Sequence, residues 1–162
     1  MRKVLIFGNS GSGKSTLAGN LCARENLAHL DLDILAWEPT IPPTRKPLPV
    51  SAAAIRKFIQ ANEGWVIEGC YTDLLQQALP DANEIVFLNL AVADCMENAR
   101  SRPWEPHKYE SKAAQDANLE MLIDWIAQYH ERVDTFSYRA HRALFDGYQG
   151  KKTMYVGNNE TA

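Results

Sequence analysis

The sequence predicts an α/β protein in which a parallel sheet is covered by helices on both faces, and three observations lead to this fold class. Short apolar runs alternate with longer segments of helical periodicity along the chain. The run "EIVFLNL" (residues 84–90) is apolar enough for a strand buried on both faces, which is typical of parallel sheets. The 162 residues are 46% hydrophobic and 23% charged, which suits one compact domain spanning residues 1–162.

The first part of the chain contains two predicted strands, two predicted helices and a long loop. Residues 4–7 form a buried strand, residues 14–25 an amphipathic helix, and residues about 27–30 a second strand. The segment "EPTIPPTRKPLPV" (residues 38–50) carries five prolines, which exclude regular structure and predict an exposed excursion. A helix is expected to resume over residues 51–61.

The second part contains three predicted strands with helices between them. "WVIEGCY" (residues 65–71) and residues 84–90 are strands, and residues 91–100 are helical. "RSRPWEPHKYESK" (residues 100–112) is polar and broken by two prolines, which indicates a mobile loop between helices. Two helices near residues 113–131 and 135–148 precede a last strand at residues 153–156.

The net charge and the cysteine content limit which binding partners and which cellular compartment we expect for this protein. The net charge is −3 with acids and bases interspersed, so neither nucleic acid nor an anionic membrane is an expected partner, and no feature specifies an oligomeric state. Cys22, Cys70 and Cys95 are far apart and lack metal-binding spacing, which indicates reduced, packed thiols. "MRK" leads directly into a strand, and no segment has the length of a membrane span, so we expect a cytoplasmic location.

The segment "VLIFGNSGSGKST" (residues 4–16) predicts a phosphate-binding loop. Its glycines allow consecutive backbone N–H groups to turn inward around an anion, and the following helix contributes its positive end. In the pattern G-x-x-x-x-G-K-[ST], Lys14 reaches the β and γ phosphates, Ser15 supplies a hydroxyl to Mg²⁺, and Thr16 is suited to the α-phosphate. The expected ATP-binding residues of the loop are Gly8, Asn9, Ser10, Gly11, Ser12, Gly13, Lys14, Ser15 and Thr16.

Other sequence marks separate the classes of P-loop protein. A GTPase normally carries D-x-x-G and N-K-x-D, and a transporter-type ATPase carries L-S-G-G-Q; none of these occurs here. Three segments, "FGNSGSGKST", "HLDLDILAWEP" and "WVIEGCY", together resemble the adenylate-kinase-like P-loop kinases, most closely the bacterial group labelled topology modulation proteins. The resemblance covers roughly the first ninety residues. It departs at Glu68, where that group has Asp, and at Cys70, where it has Asn.

Three carboxylates follow the second and third predicted strands. Asp31 and Asp33 are two residues apart, so they point to opposite sides if the backbone stays extended, and only one faces the site. Asp33 aligns with the aspartate of the group's H-L-D segment, which implies that it accepts a hydrogen bond from an acceptor hydroxyl or acts as its base. Asp31 is expected to hold a magnesium-bound water, unless both residues only cap the next segment. Glu68 needs a partner if buried, either Mg²⁺ through water or a salt bridge.

The resemblance also implies a closing lid at residues 100–112 and an adenine-binding segment after the last strand. Arg100 and Arg102 begin the lid and are expected to stabilise the transferred phosphoryl group, or else to be solvated. His107 and Lys108 in the lid are either substrate contacts or exposed. Asn158, in "VGNNE", is expected to contact the base. Trp37 and Trp65 are core or substrate-shelf residues. Arg139, His141 and Arg142 add positive charge to a later helix, which is typical of a solvated face.

Together these features predict a P-loop kinase with the sheet order 2-3-1-4-5 that the resemblance implies. The expected reaction transfers the γ-phosphate of ATP, with Mg²⁺, to a nucleotide, a nucleoside or a shikimate-like hydroxy acid. Two alternatives stay open: a nucleotide-binding regulatory ATPase with no small-molecule acceptor, and a kinase acting on nucleic-acid ends.

Overall fold

A parallel five-stranded sheet in the order β2-β3-β1-β4-β5 forms the centre of the molecule, which confirms the predicted fold class and strand order. The computed structural model describes residues 1–160; the last two residues of the predicted domain lie outside the described residues. The strands are β1 (Lys3–Gly8), β2 (Ala28–Asp31), β3 (Trp65–Gly69), β4 (Glu84–Leu88) and β5 (Lys151–Tyr155). Because the chain turns from β1 toward β2 and β3 on one side and toward β4 and β5 on the other, a crevice opens at the carboxyl end of β1.

Helices cover both faces of this sheet, so the architecture has three layers. They are α1 (Lys14–Glu25), α2 (Asp33–Ala36), α3 (Leu48–Ala61), α4 (Thr72–Ala78), α5 (Val92–Arg100), α6 (Lys112–Ala117), α7 (Leu119–Ala127) and α8 (Tyr138–Gly147), with 3₁₀ turns at Leu79–Asp81 and Asn158–Glu160. Side chains alternate along a strand, so Leu5 and Phe7 pack with α3, α4 and α8, while Val4 and Ile6 pack with α1, α5 and α7. No helix within residues 1–160 is long and apolar enough to cross a membrane.

Several element boundaries differ from the sequence prediction. The helix α3 begins at Leu48, inside the segment expected to be irregular, because the proline of its first turn needs no hydrogen-bond donor there. The predicted helix over residues 113–131 is two helices, α6 and α7, separated at Asn118. Two short helices, α2 and α4, were not predicted, since neither is long enough to display a helical period.

His141 lies in the core and not on a charged surface, which corrects the prediction for this residue. Its side chain is 0% exposed. Nε2 donates to the carbonyl oxygen of Cys70 at 2.8 Å, so Nδ1 of the neutral ring accepts from the Tyr129 hydroxyl at 2.7 Å. Burial lowers the pKa of His141 to about 4. The residue therefore joins α8 and the end of β3 as an uncharged hydrogen-bonding group.

The buried histidine predicts a specific pH dependence of stability. Below pH 6.5 the unfolded chain binds a proton at His141, whereas the folded protein excludes this proton until about pH 4. The free energy of unfolding therefore decreases as the pH is lowered. Between pH 7 and pH 5 this effect amounts to about 2 kcal/mol. Urea unfolding of His141→Gln should show a shallower pH dependence than wild type over this range. His130→Gln, which changes an exposed histidine, is the matched control, and equal slopes for wild type and His141→Gln would contradict the assignment.

Candidate functional site

The glycine-rich loop, residues 8–15, connects β1 to α1 in a conformation that needs glycine at two positions. Gly11 and Gly13 have φ values of 78° and 92°, in the left-handed region that other residues rarely adopt. A Cβ atom on Gly13 would lie 2.8 Å from Nδ2 of Asn158, and one on Gly11 would meet the backbone of Cys95. Gly13 is also the N-cap residue of α1, so the loop runs directly into the positive end of that helix. Gly8, the last residue of β1, pairs with Leu88.

The loop is held by side chains from distant parts of the chain. Asn98 on α5 donates to the carbonyl oxygen of Gly11 at 2.8 Å and to Oδ1 of Asn158 at 2.7 Å. Asn158 in turn donates to the carbonyl oxygen of Ser12 at 2.9 Å. The structure therefore brings Asn158 against the loop backbone, and it adds Asn98, which no sequence pattern indicated.

Not every predicted loop residue faces the crevice with its side chain. Asn9 is buried, and its Nδ2 donates to the carbonyl oxygen of Ile126 at 3.2 Å. The Ser12 hydroxyl is buried and has no hydrogen-bond partner among the residues that the structure describes. Asn9 and Ser12 are therefore not among the residues that line the crevice, whereas Ser10 and Thr16 line it.

Lys14, Ser15 and Glu68 form the inner end of the site. The Lys14 ammonium crosses the loop and donates to the carbonyl oxygen of Asn9 at 2.8 Å. Glu68, at the end of β3, is only 1% exposed and accepts a hydrogen bond from the Ser15 hydroxyl at 2.8 Å. His29 Nε2 lies 3.3 Å from the same Glu68 oxygen, and this hydrogen bond raises the pKa of His29 against the opposing effect of burial. The partners of Glu68 are therefore a hydroxyl and a histidine, not a lysine or arginine.

Asp31 and Asp33 both contact one cation, Lys108, and of the two only Asp33 lines the crevice. The strand β2 ends at Asp31, and Asp33 already begins α2, where its backbone N–H donates to Oδ1 of Asp31 at 2.9 Å. Lys108 Nζ lies 2.7 Å from Oδ2 of Asp33 and 3.4 Å from Oδ2 of Asp31. The chain leaves the extended conformation before Asp33, so the alternation expected of a strand does not apply.

Lys108 belongs to the segment between α5 and α6, residues 101–111, which we call the 101–111 loop. Its side chain is 20% exposed, and Nζ is also 3.5 Å from Oε2 of Glu105. Burial lowers the pKa of Lys108, but Asp33 and Asp31 outweigh this effect and raise it. Burial raises the pKa of Asp33, but the effect of the Lys108 ammonium outweighs that of burial. The pKa of Asp33 is therefore lowered. The pKa of Asp31 is raised, by burial first and then by Glu68 and Asp33.

The two predicted lid arginines have different surroundings. Arg102 lines the crevice and lies 3.2 Å from Oε1 of Glu105. Arg100 is half-exposed on α5 and pairs with Glu97 at 3.7 Å, outside the crevice. In this structure Lys108, rather than Arg100, brings positive charge to the carboxylates.

These groups surround a pocket of about 200 Å³ at the carboxyl ends of β1 and β3. The residues that line the pocket come from the glycine-rich loop, from the segments at the ends of β2 and β3, and from the 101–111 loop. They are Ser10, Gly11, Gly13, Lys14, Ser15, Thr16, Asp33, Glu68, Gly69, Cys70, Arg102, Pro103, Glu105 and Lys108. Within residues 1–160, no three His, Cys, Asp or Glu side chains are grouped so that they could hold a metal ion. Trp65 is wholly in the core, whereas Trp37 is partly exposed beside the pocket.

Comparison with known proteins places few constraints on this site. No protein-family model and no curated protein matches the chain. A solved structure described as "uncharacterized protein from Eubacterium ventriosum ATCC 27560" is similar with a TM-score of 0.47 and 18% sequence identity, over 99% of this chain and 94% of that one. That description assigns no activity to the similar protein.

The contacts of Lys108 predict that it holds the 101–111 loop against the strand ends. Replacing Lys108 with Met should leave Asp31 and Asp33 without their shared cation and release the loop. Amide hydrogen exchange over residues 101–111 should then accelerate about tenfold or more. Lys112→Met is the matched control, because Lys112 pairs with Asp116 in an exposed position and such pairs contribute little. Unchanged exchange in Lys108→Met would show that other contacts hold the loop.

Proposed function

We propose that this protein is an adenylate-kinase-like P-loop kinase that transfers the γ-phosphate of ATP to a small metabolite. One observation carries the proposal: the glycine-rich loop with Lys14 and the carboxylate of Asp33 line the same pocket. A phosphate-binding loop alone is compatible with many activities. A carboxylate opposite the loop supplies the second requirement of a kinase, a group that orients the attacking hydroxyl.

The loop residues fit a triphosphate. The left-handed glycines Gly11 and Gly13 expose successive backbone N–H groups at the start of α1, where anions are stabilised. Lys14 Nζ donates to the neutral carbonyl oxygen of Asn9 at 2.8 Å, a partner that a phosphate oxygen can replace. These groups would bind the β and γ phosphates and hold the γ-phosphorus in the pocket.

The residues present also fit Mg²⁺. Ser15 and Glu68 are oxygen donors in contact with each other, and Asp31 pairs with Glu68 across β2 and β3. A protein cage of several carboxylates is not required, since Mg²⁺ in such sites keeps waters and phosphate oxygens as ligands. When bound, Mg²⁺ would neutralise charge on the β and γ phosphates.

Asp33 would orient the acceptor. The acceptor hydroxyl donates a hydrogen bond to Oδ2 of Asp33, and its oxygen attacks the γ-phosphorus as the bond to the β–γ bridging oxygen breaks, which releases ADP. The lowered pKa of Asp33 favours orientation with late proton transfer over early proton abstraction. Arg102 and Lys108 on the 101–111 loop would stabilise charge on the transferred group and exclude water.

The acceptor classes expected from the sequence remain the candidates: nucleotides, nucleosides and shikimate-like hydroxy acids. Each offers a hydroxyl or phosphate oxygen that Asp33 and the cations of the 101–111 loop could orient.

Label transfer from γ-labelled ATP with Mg²⁺ to a pool of these acceptors tests the proposal. Wild type should give a labelled product, and Asp33→Asn should lower its rate about a hundredfold or more while ATP binding is retained. Asp146→Asn, which changes an exposed aspartate paired with Arg142 outside the pocket, is the matched control. ATP binding without any labelled product would instead indicate the regulatory ATPase.

A further inference from the structure

Two aromatic residues of the quoted segments, Trp37 in "HLDLDILAWEP" and Tyr71 in "WVIEGCY", have no part in the proposed reaction and yet meet beside Asp33. Tyr71 is 3% exposed and precedes α4. Its hydroxyl oxygen accepts a hydrogen bond from Nε1 of Trp37 at 2.8 Å. The same hydroxyl donates to Oδ1 of Asp33.

The direction of these two hydrogen bonds is fixed by chemistry. An indole N–H is only a donor, and an ionised carboxylate is only an acceptor. The single hydroxyl proton of Tyr71 must therefore point at Asp33, while its oxygen faces Trp37. Burial raises the pKa of Tyr71, so the proton stays on the phenol. Only one arrangement of protons satisfies all three groups.

Packing around the phenol restricts its movement. The Arg45 guanidinium lies 5.0 Å from the centroid of the Tyr71 ring, and Phe136 packs edge-on at 5.2 Å. Arg45 is itself held by Asp73 at 3.1 Å, and its backbone pairs with Trp37 in an antiparallel bridge. The ring that carries the hydroxyl is therefore supported from the proline-rich excursion and from the segment before α8.

We propose that Tyr71 and Trp37 are positioning residues for Asp33: by occupying Oδ1 they fix the carboxylate rotamer and present Oδ2 to the pocket. Oδ2 is the oxygen that lies 2.7 Å from Nζ of Lys108, and Asp33 and Lys108 both line the pocket. The assignment of Oδ2 to an acceptor hydroxyl rests on the proposed kinase function. We call the two hydrogen bonds that join Trp37, Tyr71 and Asp33 the relay. The relay can be tested without any acceptor.

The test of the relay is the indole N–H signal of Trp37 in ¹H–¹⁵N NMR spectra of the full chain. Trp37→Phe identifies this signal among those of the four tryptophans by its disappearance. The signal should shift in Tyr71→Phe, which removes its acceptor. It should also shift in Asp33→Asn, because loss of the charge weakens the polarisation of the Tyr71 hydroxyl. Tyr148→Phe, which removes a hydroxyl bonded to Ala82 outside the pocket, should leave the signal in place.

Kinetics form the second arm. Tyr71→Phe and Trp37→Phe should lower kcat for label transfer from γ-labelled ATP, by roughly tenfold or more for Tyr71→Phe, because a hydrogen bond to a charged group is lost. The KM for ATP should stay within about twofold of wild type, since the hydrogen bonds of both side chains lead to Asp33 and not to the glycine-rich loop. A purely structural role would instead change ATP binding and thermal stability together.

The outcomes separate the two proposals. If the Trp37 indole N–H signal does not shift in Tyr71→Phe or in Asp33→Asn, the relay is overturned. An unchanged kcat in both Tyr71→Phe and Trp37→Phe would also overturn it. If wild type transfers no label to any acceptor, the kinase function fails. The NMR measurement then still tests the relay, because it does not depend on kinase activity.

Discussion

The parallel pairing of β1 with β3, and of β3 with β2, is the constraint on which the candidate site depends. It sets Asp31 opposite Glu68, and Glu68 opposite Ile6 two residues before the glycine-rich loop begins. Adjacent strands are roughly 4.8 Å apart, so groups from three chain segments reach one pocket. The hydrogen bond from Ser15 to Glu68 is a direct result, since it joins the first turn of α1 to the end of β3.

Ion pairs connect the side chains of the outer half of the pocket. The carboxylates of Asp31, Asp33 and Glu105 meet one ammonium, that of Lys108, and Arg102 pairs with Glu105. These ion pairs hold the 101–111 loop against the strand ends, and hydrogen bonds with Gln115 and Asn118 hold it against α6 and the start of α7. Because the contacts of Lys108 with Asp31 and Asp33 are ion pairs, a charged ligand can alter the balance of charge that keeps the loop against the strand ends.

The inner features of the site were predictable because they are local. The glycine-rich loop follows from consecutive residues, and Gly11 and Gly13 adopt the left-handed backbone that such a loop requires. The sheet order followed from the resemblance and is confirmed. The sequence also indicated that a buried Glu68 needs a partner, although the choice of Ser15 and His29 depends on strand register.

The remaining features arise from contacts between distant residues. Asn98 reaches Gly11 across the fold, and Lys108 reaches Asp33 from a loop without a periodic pattern, so no local signal could identify either contact. The core position of His141 depends on the packing of α8 against β3. The shared contact of Asp31 and Asp33 with Lys108 has a simpler cause, since the one-residue break at Leu32 ends the strand alternation.

The proposed kinase function requires that the glycine-rich loop bind a nucleoside triphosphate through Lys14. Isothermal titration of wild type and Lys14→Ala with ATP and Mg²⁺ tests it most directly, with the exposed Lys57→Ala as the control. Wild type and Lys57→Ala should bind ATP alike. Lys14→Ala should bind it at least about tenfold more weakly, because a charged hydrogen-bond donor to the phosphates is lost while the fold is retained. Equal affinities for wild type and Lys14→Ala, or no binding to the folded wild-type protein, would contradict the account.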